Sequence, residues 1–101
     1  MTTLGPEIEL RLSIQRALLG AITCNIHSVT CGIRRNEIQI VAYFRGDVSP
    51  EDVERFQVVS TEVIADFPEP YTIREACVSL SEQCEQMLDF WAFRKAPEDD
   101  D

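Results

Sequence analysis

The sequence predicts an α+β fold in which two helices pack on one face of an antiparallel sheet, in the order α-β-β-α-β-β. Two segments repeat apolar residues at helical spacing, and four others carry the alternation or the β-branched and aromatic residues of strands. The chain has 101 residues, 45% of them apolar, which suffices for one hydrophobic core. We therefore expect a single domain over residues 1–96.

The first segment fits a helix better than a strand. Residues 7–14 alternate polar and apolar as a strand would, but the continuation over residues 15–19 does not alternate. Pro6 suits a first helical turn and Gly20 suits a helix end. The sequence therefore predicts a helix over residues 7–20. Its apolar stripe consists of Leu10, Ile14, Ala17, Leu18 and Ala21.

Two strands follow and form a predicted hairpin. Apolar and polar residues alternate over residues 29–33, and the polar residues 34–37 form a short turn. Residues 38–44 are apolar at nearly every position, which indicates a strand covered on both faces. We therefore expect this second strand inside the sheet.

The second helix has the strongest local signals. Ser49 is a good N-cap, Pro50 suits the first helical position, and Pro68 ends the segment. The sequence predicts a helix over residues 50–67. Its apolar stripe consists of Val53, Phe56, Ser60, Val63, Ile64 and Phe67.

The last third of the chain predicts two more strands and a tail. Residues 71–80 form the third strand, and imperfect alternation near residues 75–77 predicts a β-bulge. Residues 90–94 form a short fourth strand. The acidic run at residues 97–101 has no apolar residue to bury, so we expect a disordered tail.

The charge excludes two classes of ligand. The formal net charge is −9, whereas binding to nucleic acid or to an anionic membrane surface needs clustered cations. No apolar stretch approaches the length of a membrane span. Residues 1–7 lack the basic start and the apolar run of a secretory signal, so we expect a cytoplasmic protein.

The sequence predicts no catalytic residue, no cofactor and no metal site. His27 is the only histidine, and no nucleophile or orienting acid stands beside it. Glycine motifs for phosphate or dinucleotide binding are absent from the sequence. We therefore expect a protein that is not an enzyme.

Four cysteines occur as two pairs with the same spacing of seven residues. The spacing differs from the usual zinc patterns, and a cytoplasmic location disfavours disulfides. Reduced and mostly buried thiols are the favoured interpretation, with one disulfide or a metal site as alternatives. Cys84, in a polar segment, is the thiol that we expect to be exposed. The pairs are Cys24 with Cys31 and Cys77 with Cys84.

Acidic residues are concentrated in the second half of the chain. Eleven acidic and two basic residues fall within residues 46–91. On the predicted second helix, acids surround small apolar residues on the side away from the core. Such a face suits a basic protein partner, although an ordinary solvated helix face is charged as well. The candidate partner-binding residues are Asp47, Glu51, Glu54, Val58, Glu62, Asp66 and Glu69.

Four segments give the chain a family resemblance that spans residues 8–95. They are Gln15–Gly20, Val41–Phe44, Ser49–Asp52 and Thr61–Pro68. In these segments the chain resembles small bacterial immunity proteins of the colicin-like and contact-dependent growth inhibition type. The family shares no common active site, so the resemblance assigns no functional residue.

The resemblance implies a function that agrees with the charge. Immunity proteins of such systems bind and neutralise a cognate toxin domain, and many of these toxins are basic nucleases. The expected partner is therefore a basic toxin domain. The alternative is a non-catalytic interaction or accessory module, which could form a homodimer through an exposed aromatic strand at residues 90–93.

Overall fold

The structure is a computed structural model that describes residues 5–95, and the predicted tail at residues 97–101 lies outside them. The α+β class and the element order are confirmed. The elements are α1 (Pro6–Ala17), β1 (Ile26–Arg34), β2 (Glu37–Phe44), α2 (Pro50–Ile64), β3 (Thr72–Ser79) and β4 (Phe90–Arg94). Within the described residues, no helix is both long enough and apolar enough to cross a membrane.

The four strands form one mixed sheet in the order β3-β2-β1-β4. β1 pairs antiparallel with both β2 and β4, but β2 pairs parallel with β3. The prediction of a purely antiparallel sheet is therefore wrong. The physical reason is that α2 connects β2 to β3 as a helical crossover, the connection that joins parallel neighbours.

The hairpin between β1 and β2 is confirmed at the predicted turn. Arg34 pairs with Glu37, and the two residues between them turn the chain. Arg35 and Asn36 have φ angles of 54° and 65°. Positive φ at both central positions is the backbone of a type I′ turn, whose twist matches that of the flanking strands.

The predicted stripe of α1 is confirmed, although the helix ends at Ala17 rather than at residue 20. All five stripe residues, Leu10, Ile14, Ala17, Leu18 and Ala21, are buried in the core. The chain then turns through Gly20, whose φ of 90° is the left-handed conformation that glycine adopts without a steric penalty.

Local capping fixes the start of α2, as predicted. The Ser49 hydroxyl accepts a hydrogen bond from the Asp52 N–H (3.1 Å), and the Asp52 carboxylate accepts one from the Ser49 N–H (3.0 Å). This is a reciprocal capping box, which satisfies backbone donors that would otherwise lack a partner. The helix ends at Ile64, three residues before the predicted end.

One position of the predicted α2 stripe is wrong. Val53 is 40% exposed, whereas Val59 is 1% exposed and belongs to the core. The reason is that Val59 belongs to the same core cluster as Ala17 of α1 and Ala21, which follows it. Tertiary packing has therefore turned the buried side of the helix toward α1.

The bulge predicted in β3 is also wrong, because β3 pairs with β2 in unbroken register. The apolar alternation fails at Glu75, an acid at a position that faces the helices. The Ser60 hydroxyl of α2 donates a hydrogen bond to the Glu75 carboxylate at 2.7 Å. The side of β3 that faces the helices therefore carries a polar residue at this position, and its partner is a polar residue of α2.

Residues 80–89, called the strap below, cover the sheet face opposite the helices. Thr30 and Tyr43 lie on that face, because they alternate along their strands with core residues. The Thr30 hydroxyl accepts a hydrogen bond from the Leu88 N–H (2.8 Å), and the Tyr43 hydroxyl accepts one from the Gln86 N–H (3.1 Å). The strap therefore covers one face of the sheet, and the helices cover the other.

Candidate functional site

The candidate site lies on the exposed side of α2. Glu51, Glu54, Val58 and Glu62 are all exposed, and we call this set the acidic face. Their separations of three, four and four residues place successive side chains on the same side of a helix. The structure therefore brings together four of the seven predicted site residues, with an apolar side chain at their centre.

Most of the negative charge on this face lacks a counter-ion. Arg55 is the basic residue of α2, and its guanidinium donates to the buried carboxylate of Asp52 at 3.0 Å. Within residues 5–95, Glu51, Glu54 and Glu62 form no ion pair. Among the described residues, these three carboxylates thus have no cation paired with them.

The other three predicted site residues lie outside the acidic face. Asp66 accepts hydrogen bonds from the Ser13 hydroxyl (2.6 Å) and from the Arg16 guanidinium (2.7 Å), both on α1. Its main contacts therefore hold the two helices together. Asp47 and Glu69 are exposed and lie beyond opposite ends of α2, which at 15 residues is about 22 Å long.

A groove beside the acidic face was not predicted. It has a volume of about 230 Å³ and lies between α2 and the turn that ends α1. Leu19 and Val58, which are 78% and 56% exposed, both line it. Leu19 stands next to a stripe residue, Leu18, so the helical period already turned it outward. That it meets Val58 depends on how α1 and α2 pack.

A second cluster of polar residues joins the strap to the sheet. The Glu85 carboxylate accepts hydrogen bonds from the Ser28 hydroxyl (2.6 Å) and the Arg94 guanidinium (3.0 Å). His27 Nε2 lies 3.2 Å from the same carboxylate. Serine and histidine here both face the acid, whereas a catalytic triad needs the serine to bond to the histidine. The cluster of His27, Ser28, Glu85 and Arg94 is therefore structural, and we call it the clamp because it holds the strap to the sheet.

The clamp predicts a pH-dependent contribution to stability. Burial raises the pKa of Glu85, but hydrogen bonds from Ser28 and Arg94 and attraction to His27 and Arg94 outweigh it, leaving the pKa below its ordinary value of 4.5. A lowered folded-state pKa stabilises the fold above the unfolded-state pKa. That stabilisation is lost as the pH falls through the folded-state pKa.

We expect Glu85→Gln to lower the free energy of unfolding at pH 7 by about 1–3 kcal/mol, the contribution of hydrogen bonds to a charged group. Urea titrations of both proteins from pH 7 to pH 3 check this, and the difference should shrink toward pH 3. Glu82→Gln, an exposed position of the same strap, is the matched control and should change little. A constant difference across this pH range would contradict the clamp.

The cysteines differ in their exposure. Cys84 is exposed, as predicted, but Cys24 is exposed as well. Cys31 is buried and Cys77 is half-buried, so the expectation that most thiols are buried is wrong. Burial raises the pKa of Cys31 to about 12. Burial, together with the charges of Asp52 and Glu75, raises the pKa of Cys77 to about 11. Neither of these two thiols has the lowered pKa of a reactive cysteine.

The alternative of a homodimer depends on an exposed aromatic strand. In the structure, the aromatic residues of β4 are buried or half-buried. Phe90 is buried, and Trp91 and Phe93 are half-buried. The Arg11 guanidinium lies 4.2 Å from the centre of the Phe90 ring, and that of Arg94 lies 4.5 Å from the nearest ring centre of Trp91. The aromatic rings of this edge therefore already have partners within the chain.

Comparison with known protein families identifies a relationship that covers most of the chain. The family model described as MafI2 immunity protein matches residues 7–96. A search of curated proteins finds no match. The matched range contains α1 from its second residue onward, the whole of α2, all four strands, the acidic face and the groove.

Proposed function

The chain belongs to the MafI2 immunity protein family, and from this premise we propose that it binds and neutralises a cognate bacterial toxin domain. The family membership supports an immunity-type role. The proposed partner is a basic domain, and the proposed contact surface is the acidic face of α2. As the sequence analysis predicts, we propose that the protein acts in the cytoplasm and without catalysis.

The observation that carries the proposal is the set of three carboxylates around Val58 that form no ion pair within residues 5–95. Like charges on one helix face repel one another, although Glu51 in the first turn also interacts favourably with the helix dipole. A partner with lysine or arginine side chains at matching positions removes the repulsion on binding. The same opposite charges accelerate the encounter of the two proteins.

Neutralisation follows from occupation of the toxin's surface. A toxin that acts on nucleic acid needs a cationic surface for phosphate groups. An acidic protein bound to that surface competes with the substrate by both charge and volume. The proposed mechanism is therefore occlusion, for which the immunity protein needs no reactive group.

Co-expression with a toxin domain captured from cells of the source organism, with the tagged chain as bait, tests the proposal. We expect the chain to restore growth of cells that produce the toxin and to co-purify with it in a 1:1 complex. A toxin domain of a different family, with a similar basic charge, is the control and should remain lethal. Continued killing by the captured toxin, together with no complex in calorimetry, would contradict the proposed function.

A further inference from the structure

We infer that the groove between α1 and α2 takes one apolar side chain of the toxin, flanked on the toxin by lysine or arginine. We call it the anchor groove, lined by Ala17, Leu19, Gly20, Ala21, Arg55, Val58, Val59 and Glu62. This inference rests on the proposed function and adds the residues that hold the bound partner.

The anchor groove is an apolar site with an exposed opening. Ala17, Ala21 and Val59 are buried, and they belong to the hydrophobic core. Leu19 and Val58 stand on either side and expose most of their surface. Large apolar side chains that remain in water gain from being covered, because burial of apolar surface is favourable. About 230 Å³ is room for one large apolar side chain.

Charge determines the kind of segment that can enter. Glu62 belongs both to the anchor groove and to the acidic face, so the apolar site opens directly onto the carboxylates. The Arg55 guanidinium, the cation beside the groove, is already bonded to Asp52. A toxin segment with an apolar residue next to a lysine or an arginine therefore complements both the apolar groove and the carboxylates beside it. A second copy of this chain, with its net charge of −9, would bring carboxylates against carboxylates.

The groove and the acidic face contribute to different rate constants. Long-range attraction between charges acts before contact, so it raises the association rate and depends on salt. An apolar side chain in a groove acts only after contact, so it lowers the dissociation rate. The two contributions are separable in one kinetic experiment.

The test measures binding of the captured toxin domain to immobilised wild type, Leu19→Ser and Val58→Ser at several salt concentrations. We expect each substitution to raise the dissociation rate roughly tenfold or more, the size of effect found when a central apolar contact is lost. The salt dependence of the association rate should stay that of the wild type. Leu12→Ser, an exposed leucine of α1 outside the groove, is the matched control and should leave both rates unchanged.

The outcomes separate this inference from the proposed function. Tight binding of the wild type with unchanged dissociation rates for both groove variants would overturn the anchor groove and leave the function standing. No binding by the wild type would overturn both. Sedimentation of the free proteins adds a further test. A wild-type homodimer that Leu19→Ser and Val58→Ser convert to monomers would assign the groove to a second copy and contradict the inference.

Discussion

Replacing the three free carboxylates of the acidic face together, as Glu51→Gln, Glu54→Gln and Glu62→Gln, is expected to slow association with the toxin domain by about tenfold or more at low salt. The three side chains are exposed and form no ion pair within residues 5–95. Their field therefore extends into the solvent, where it attracts a basic partner. At high salt, screening should bring the rates of variant and wild type together.

Stopped-flow association rates over a range of salt concentrations check this prediction. The matched control carries the same change in charge at Glu7, Glu9 and Glu82, which lie on α1 and on the strap. It should keep a salt dependence close to that of the wild type. An equal loss of rate in both triple variants would show that net charge alone matters, and would contradict a specific role of α2.

The largest loss of stability is expected for Phe56→Ala, at about 3–5 kcal/mol. Phe56 is almost completely buried where α2 meets the sheet. Its ring meets that of Phe44 on β2 edge to face, with 6.2 Å between ring centres and 85° between ring planes. The substitution removes this aromatic pair and leaves a cavity that the surrounding residues fill only in part.

Unfolding in urea measures the effect of Phe56→Ala. Val58→Ala, two residues along the same helix but on the acidic face, is the matched control and should change the free energy of unfolding by no more than about 0.5 kcal/mol. Similar losses for the two variants would mean that α2 does not pack through the side that carries Phe56. The exposed face of the helix would then have to be reassigned.

The parts of the fold that depend on local signals could be predicted from the sequence. Ser49 and Pro50 mark the start of α2 because a cap and its helix are neighbours in the chain. The stripe of α1 from Leu10 to Ala21 is fully buried, since helical period alone decides which side of that helix is apolar. These features need no knowledge of the rest of the molecule.

Features that depend on long-range packing could not be predicted in this way. The parallel pairing of β2 with β3 follows from the path of the chain through α2, which local alternation does not record. Glu75 looked like a break in a strand because its partner, Ser60, lies on a different element. The exposure of Val53 depends in the same way on where α1 sits.

The site shows the same division. The period of α2 was enough to place Glu51, Glu54, Val58 and Glu62 on one face, and the structure does so. Two other residues could not be assigned without α1. Asp66 contacts α1 residues about fifty positions away, and Leu19 meets α2 only in the folded chain. The candidate face was therefore predictable, but its boundary and the anchor groove were not.

Carboxylate labelling of the complex tests most directly whether the toxin binds at the acidic face. The free chain and its complex with the toxin domain are treated with a carbodiimide and an amine, and mass spectrometry measures the modification of each acidic residue. We predict that Glu51, Glu54 and Glu62 lose most of their labelling in the complex, while Glu9 and Glu82 keep theirs. Unchanged labelling on α2, with protection at Glu9 or Glu82 instead, would contradict the account.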